Sequence, residues 1–244
     1  MSLRTEEVVY QASGVPLRGF LAWDGAQKKK RPGVLVVHEW WGHDEYVRGR
    51  AKQLADAGYV AMAVDMYGDG KVAKTPEDAQ KLMLEVVDDI ERMRSRFVAA
   101  RDVLLEREAT DSASIAAIGY CFGGAVVLQM ARLGIDLRAV AAFHPGSLAS
   151  RHPARRGSLR AKVLVCLGEA DPFVSQDERA GFRREMTNAA ADFELVEYPR
   201  VQHGFTVPAA TERGKSYSLP LAYDTKADLD SWSRLERLLK GALG

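Results

Sequence analysis

Short apolar segments rich in β-branched residues recur along the chain at intervals too long for hairpins. They lie at 34–37, 60–64, 115–118, 140–143, 163–167 and 193–198. Apolar residues at helical spacing occupy the stretches 46–57, 76–108, 122–133, 176–190 and 220–243. Strands that alternate with helices predict an α/β fold, with a mostly parallel central sheet and helices on both faces. Two earlier segments, 7–11 and 17–23, flank a turn at 13–16 and predict an antiparallel hairpin at the sheet edge.

The chain has 244 residues and contains no internal repeat and no linker rich in Pro, Gly or Ser. A single domain over residues 1–244 is therefore the simpler interpretation. The 34 basic residues nearly balance the 33 acidic ones. A nucleic-acid partner is not expected, because binding to a phosphate backbone needs a concentrated basic face.

Two cysteines, Cys121 and Cys166, are too few for a disulfide framework, and the first residues have no apolar segment behind a basic one. A cytoplasmic location is the default expectation. The longest uncharged run, 115–131, contains three glycines and a glutamine. It is shorter than the roughly 20 apolar residues of a spanning helix, so no membrane segment is expected.

The sharpest local motif is Gly119-Tyr120-Cys121-Phe122-Gly123-Gly124, where a strand segment passes directly into a helical one. It is a nucleophile-elbow pattern with Cys in place of Ser, and the tight turn requires small flanking residues such as Gly119 and Gly123. A thiol at a helix N-terminus is favoured as thiolate, and the Phe122 N–H can donate to an oxyanion. The alternative is that Cys121 is only a small buried residue.

Two partners follow in the chain order nucleophile, acid, histidine. Asp171 lies in the loop after segment 163–167 and precedes a proline, which favours it over Glu169 as the acid that orients an imidazole. His203 follows the last strand segment and is the candidate general base and acid. Taken alone, Asp171 could merely begin a turn and His203 could be a surface histidine.

A fourth motif, His38-Glu39-Trp40-Trp41-Gly42, stands at the carboxyl end of segment 34–37. In this position the backbone N–H of Trp40 would be the second oxyanion donor. Glu39 stands beside two tryptophans, an environment expected to raise its pKa, and is a candidate catalytic carboxylate. Alternatively, Glu39 forms a surface salt bridge with Arg48 or Arg50.

These four motifs, in this order and at similar spacing, resemble the dienelactone hydrolase family, the Cys-His-Asp branch of the α/β-hydrolases. The resemblance covers nearly the whole chain. It implies an α/β-hydrolase fold and hydrolysis of esters or lactones through an acyl-cysteine intermediate, with no metal or organic cofactor. It also implies that Glu39 takes part in activating the thiol when substrate binds.

The sequence departs from the family pattern where that pattern binds a substrate carboxylate. The pattern His-Ser-Phe-Ala-Arg reads His203-Gly204-Phe205-Thr206-Val207 here, and a further expected Arg is absent from 66–74, where the only basic residues are lysines. Lysine lacks the bidentate fork of arginine. The carboxylate contacts are therefore altered, and a substrate other than dienelactone is expected.

Aromatic side chains and a histidine occur in the loops at the predicted strand ends. They suggest a pocket for an apolar acyl group, although such residues also often cap a sheet. The candidate pocket residues are Trp41, Tyr67, His144, Phe173 and Phe205.

The expected partner is a small-molecule ester or lactone, and the expected assembly is a monomer or small homo-oligomer. Three alternatives stay open on the same fold: a broad carboxylesterase or thioesterase, a thiol-redox protein that uses Cys121, and a non-catalytic binding module. A redox role would need a resolving thiol, but Cys166 lies within a predicted buried strand. Dinucleotide binding is not indicated, because the glycines around Cys121 do not form Gly-x-Gly-x-x-Gly.

Overall fold

The computed structural model describes residues 2–244. Its strands are β1 (Leu3–Ala12), β2 (Val15–Asp24), β3 (Arg31–Val37), β4 (Val60–Val64), β5 (Thr110–Tyr120), β6 (Ala139–Phe143), β7 (Lys162–Gly168) and β8 (Phe193–Tyr198). Its helices are α1 (Glu45–Asp56), α2 (Pro76–Val87), α3 (Ile90–Leu105), α4 (Phe122–Arg132), α5 (Gln176–Asn188), α6 (Ala210–Tyr217) and α7 (Thr225–Leu243). The strands form one sheet in the order β1-β2-β4-β3-β5-β6-β7-β8. The predicted α/β fold is confirmed.

Contacts within the chain define two compact units, the first ending at Ala117 and the second beginning at Ile118. The single-domain organisation therefore stays a prediction. Within residues 2–244, none of the helices combines the length and the apolar character needed to cross a bilayer.

In the first unit, β1 and β2 form the predicted antiparallel hairpin. Its two-residue turn, Ser13-Gly14, has φ of 50° and 78°, as the turns that match strand twist require. Strand β2 continues antiparallel onto β4, whereas β3 and β4 are parallel. Both β3 and β4 are almost entirely buried, as their continuous apolar sequences require.

The single helix predicted over 76–108 is wrong, because two helices occupy this stretch. Helix α2 begins at Thr75, whose hydroxyl accepts the Asp78 N–H at 3.2 Å. Helix α3 begins at a new N-cap, Asp89, whose carboxylate accepts the Arg92 N–H at 3.0 Å. Aspartate competes for backbone N–H groups, and here this competition ends one helix and starts another.

In the second unit, β6, β7 and β8 are parallel neighbours, with Ala139–Phe143 and Lys162–Gly168 almost wholly buried. The irregular stretch predicted at 145–160 contains neither helix nor strand. The helix predicted over 220–243 begins later, because Asp224 caps α7. Helix α6, of eight residues, was not predicted from the sequence.

Candidate active site

Cys121 occupies the single residue between the end of β5 and the start of α4. Its backbone has φ of 51° and ψ of −115°, a region that residues with a Cβ atom seldom occupy. The Cys121 N–H donates to the Phe143 carbonyl at 3.0 Å, and the Cys121 carbonyl accepts from Gly124 and Gly146 at 3.0 and 3.1 Å. These bonds hold the strained conformation in place.

Glycine is required at position 119 because of this turn. A Cβ atom there would lie 2.1 Å from the Gly123 carbonyl oxygen and 2.2 Å from its carbon. At Gly124 a Cβ atom would lie 3.1 Å from the Cα atom of Pro145. The glycines of the elbow thus allow strand and helix backbones to approach closely.

The turn carries the half-buried Cys121 thiol to the N-terminus of α4. Phe122 is the first residue of the helix, and its ring is buried. The positive end of a helix dipole favours negative charge. This end of α4 can therefore stabilise a thiolate or an oxyanion.

His203 and Asp171 form a buried pair in the same unit. The His203 Nδ1 atom lies 2.7 Å from Asp171 Oδ2, and the two residues are 2% and 3% exposed. The other carboxylate oxygen, Oδ1, accepts the Phe173 N–H at 2.9 Å and so fixes the loop around Pro172. The competing candidate, Glu169, has an exposed side chain. The structure thus brings Asp171 to the imidazole.

Because Nδ1 is bound to Asp171, the buried Nε2 atom is the ring nitrogen of His203 that remains for an interaction with Cys121. Within residues 2–244, Nε2 makes no hydrogen bond of standard geometry. Burial is the largest influence on the pKa of His203 and lowers it. Attraction to Cys121 and the hydrogen bond with Asp171 outweigh burial and raise the pKa to about 10. The imidazole can therefore hold a proton taken from the thiol.

Two rings flank the imidazole of His203 edge-on. Phe173 lies 4.9 Å away and His144 lies 5.0 Å away, both measured between ring centroids. Phe173 is 44% exposed, so its ring can contact a substrate. His144 is fully buried, and its Nε2 atom lies 2.7 Å from the Thr206 hydroxyl. Phe205 is fully buried and packs against the His144 ring at 5.2 Å.

The remaining predicted residues belong to the first unit. Glu39 is 7% exposed, and its carbonyl oxygen lies 2.6 Å from His38 Nδ1. Tyr67 is buried and donates from its hydroxyl to the Trp40 carbonyl at 2.9 Å. The Trp41 ring is buried and packs edge-on against Trp40 at 5.1 Å.

A buried carboxylate that sequence analysis missed anchors the loop around Tyr67. Asp65 accepts backbone N–H groups of Arg18, Tyr67, Gly68 and Gly70 at 2.8–2.9 Å. Burial is the largest influence on its pKa and raises it, but these four bonds lower the pKa below its usual value. A clue was available, since an aspartate directly after a buried strand and before a Gly-rich turn often bonds backbone N–H groups.

A second missed residue is Arg179, on α5, which is 3% exposed. Its guanidinium donates to backbone carbonyls of the loop that carries Asp171. No local sequence signal distinguishes it from the other arginines of α5. In the part of the chain that the structure describes, no three histidine, cysteine, aspartate or glutamate side chains are grouped as metal ligands would be.

Comparison with known proteins gives a consistent result. A family model described as "Dienelactone hydrolase family" matches residues 17–243. The protein usf of Aquifex pyrophilus is 30% identical over 206 residues, which cover 81% of this chain and 85% of that protein. A protein of Aquifex aeolicus, named as a candidate carboxymethylenebutenolidase, is 27% identical over 92% of this chain and 93% of its own.

Among solved structures, a dienelactone hydrolase-like promiscuous phosphotriesterase from metagenomic libraries superposes with a TM-score of 0.91. It is 31% identical, and the alignment covers 100% of both chains.

Proposed function

The chain belongs to the dienelactone hydrolase family, and we propose that it hydrolyses carboxylic ester or lactone bonds through an acyl-cysteine intermediate. The observation that carries the proposal is the 2.7 Å bond between His203 Nδ1 and Asp171 Oδ2. This bond leaves the Nε2 atom of the same imidazole available to Cys121, whose attraction raises the pKa of His203. In the proposed roles, Cys121 is the nucleophile, His203 the general base and acid, and Asp171 the residue that orients the imidazole.

The first half of the reaction forms the acyl-enzyme. His203 Nε2 takes the thiol proton, and the Cys121 sulfur attacks the carbonyl carbon of the ester. The carbonyl oxygen becomes an oxyanion, which the Phe122 N–H at the start of α4 stabilises. When the intermediate collapses, the bond to the leaving oxygen breaks and the imidazolium donates its proton to that oxygen. An alcohol leaves, or in a lactone the ring opens, and a thioester on Cys121 stays behind.

The second half of the reaction uses water. His203 removes a proton from water as it attacks the thioester carbonyl, and the oxyanion forms at the same helix terminus. Collapse releases the carboxylic acid and returns the proton to the sulfur through the imidazolium. Each bound donor to the oxyanion is worth about 3 kcal/mol of the barrier, so the position of α4 governs the rate.

The proposed substrates are uncharged esters and lactones with an apolar group. Two features support this choice: the residue four positions after His203 is a buried valine, Val207, and the half-exposed ring beside the imidazole is Phe173. An apolar residue at 207 offers no charge to a substrate carboxylate. The roles of Glu39 and of the Trp40 N–H stay predictions. Glu39→Gln tests the role of Glu39 by its effect on kcat.

The thiol-redox alternative has weaker support. Cys166 is fully buried, and the Tyr198 hydroxyl lies 3.9 Å from its sulfur. Burial is the largest influence on its pKa and raises it to about 12, which makes this thiol a poor resolving nucleophile.

The test is turnover of p-nitrophenyl esters, small lactones and thioesters by the wild type, by Cys121→Ala and by the matched control Cys166→Ala. We expect hydrolysis by the wild type and the control, and none above background by Cys121→Ala. A wild type no faster than Cys121→Ala on every compound would refute the enzymatic function. Activity that depended on Cys166 would refute the assignment of the nucleophile.

A further inference from the structure

Residues 168–174, here called the acid loop, begin at the last residue of β7 and carry Asp171. Four carbonyl groups along this loop accept hydrogen bonds from one side chain. The Arg179 Nε atom donates to Val174 at 3.1 Å, and its Nη2 atom donates to Gly168 at 3.1 Å and to Glu169 and Asp171 at 3.3 Å. One guanidinium therefore fixes the path of the acid loop from its start to its end.

A buried guanidinium needs a counter-ion, and Glu197 on β8 supplies it. The Arg179 Nη1 atom lies 3.1 Å from Glu197 Oε1, and the second carboxylate oxygen accepts from Arg183 at 2.5 Å. Burial is the largest influence on the pKa of Glu197 and raises it, but the bonds from Arg183 and Arg179 lower the pKa below its usual value. The carboxylate thus stays charged, and only the planar fork of arginine can reach it and the carbonyls together.

The acid loop also contacts the segment that leads to His203. The Glu169 N–H donates to the Tyr198 carbonyl at 2.9 Å, and the Ala170 N–H donates to the Val201 carbonyl at 3.0 Å. A Cβ atom at Gly168 would lie 2.2 Å from the same Val201 oxygen, so the two backbones are in close contact. Movement of the acid loop would therefore displace both members of the Asp171–His203 pair.

We propose that Arg179 is a positioning residue for the Asp171–His203 pair, acting through the carbonyl groups of the acid loop. It touches none of the reacting atoms. The inference rests on the proposed function, because it assigns Arg179 a part in setting how readily His203 takes the thiol proton.

Loss of the guanidinium frees four carbonyls and loosens the acid loop, so that the carboxylate of Asp171 no longer meets Nδ1 at its present distance. A misplacement near 1 Å commonly reduces a rate by about 100-fold. We expect Arg179→Met to lower kcat at least about tenfold with little change in KM, because substrate contacts are untouched. The pH midpoint of Cys121 alkylation should also shift by at least about one unit, since the imidazole loses part of its partner.

The experiment measures the rate of iodoacetamide alkylation against pH, together with ester turnover and thermal stability, all in a Cys166→Ala background. The variants are Arg179→Met and Arg179→Lys, and the matched control is Arg183→Met. Arg183 lies on the same helix and binds the same Glu197, but it donates to no carbonyl of the acid loop. The control should keep the parent pH midpoint and kcat within about twofold.

Arg179→Lys should retain more activity than Arg179→Met, since an ammonium can still reach part of the carbonyl set. The proposal would be overturned if a folded Arg179→Met protein kept the alkylation pH midpoint and the kcat of the parent, even if its thermal stability fell. If Arg179→Met does not fold, Arg179→Lys decides by the same two readouts. If the parent hydrolyses no ester, the proposed function fails, and the alkylation profile still decides the role of Arg179.

Discussion

Replacing Gly119 with alanine is the most direct test of the elbow. The added Cβ atom would lie 2.1 Å from the Gly123 carbonyl oxygen and 2.7 Å from the Gly124 nitrogen. Ordinary contact begins near 3.4 Å, so strand and helix must separate by about 1.3 Å to admit the methyl group. The crowding atoms are backbone, and no change of side-chain rotamer can relieve the contact.

The size of the effect follows from what moves. Helix α4 starts at Phe122, whose N–H is the proposed oxyanion donor, and a 1 Å misplacement costs about 100-fold in rate. We therefore expect kcat/KM to fall about 100-fold, which corresponds to about 2.7 kcal/mol of transition-state stabilisation. Overpacking of this kind also lowers the free energy of unfolding by about 1–3 kcal/mol, or several degrees in Tm.

The assay combines ester turnover with thermal unfolding, and Gly181→Ala serves as control. Gly181 lies inside α5, and the nearest atom to its added Cβ is a flexible arginine nitrogen at 3.8 Å. Alanine there should leave activity unchanged and raise stability by about 0.5–1 kcal/mol. If Gly119→Ala kept the turnover and the Tm of the wild type, the steric reasoning would be refuted.

Three further predictions concern the titratable groups. Because the pKa of His203 is raised from 6.5 to about 10, the stability that its charge contributes is complete below pH 6.5 and disappears as pH rises through 10. We therefore expect Asp171→Asn to be less stable than the wild type, by a difference in free energy of unfolding that shrinks as pH rises from 6.5 to about 10. Melting curves measure this difference, and a difference that stays constant with pH would contradict the reasoning. Iodoacetamide should label Cys121 but not Cys166 in the native protein, and should label both after unfolding. Two labels on the native chain would be inconsistent with the buried position of Cys166. Asp65→Ala leaves four backbone N–H groups unpaired and should lower the free energy of unfolding by at least about 3 kcal/mol in urea titrations, whereas a loss below about 1 kcal/mol would count against it.

Much of the fold was predictable because its signals are local. Each of the six predicted strand segments lies within an observed strand. For the buried strands among them the reason is that a buried parallel strand has to be a short apolar run. The elbow was equally predictable, because the clash at Gly119 involves residues only four and five positions away. Asp171 and His203 required a longer inference, from chain order and from loops that follow buried strands.

Two of the contacts that sequence analysis missed join residues from distant parts of the chain. Arg179 has the sequence context of a solvent-facing helical arginine, but in the structure it bonds the acid loop and Glu197 on β8. Thr206 pairs with His144 across 62 positions, which no local pattern encodes. The break between α2 and α3 was missed for a different reason: the apolar spacing continues through Asp88 and Asp89, and the capping preference of Asp89 outweighs it.

The backbone of Cys121 has a consequence for how the chain can change over evolutionary time. A residue with a Cβ atom held at φ of 51° and ψ of −115° costs about 1–3 kcal/mol, whereas glycine adopts such angles freely. Selection for stability alone would therefore favour glycine at position 121, and only selection for the chemistry of the sulfur opposes that replacement. A descendant freed from its reaction should lose the thiol early and melt at a higher temperature than its ancestor.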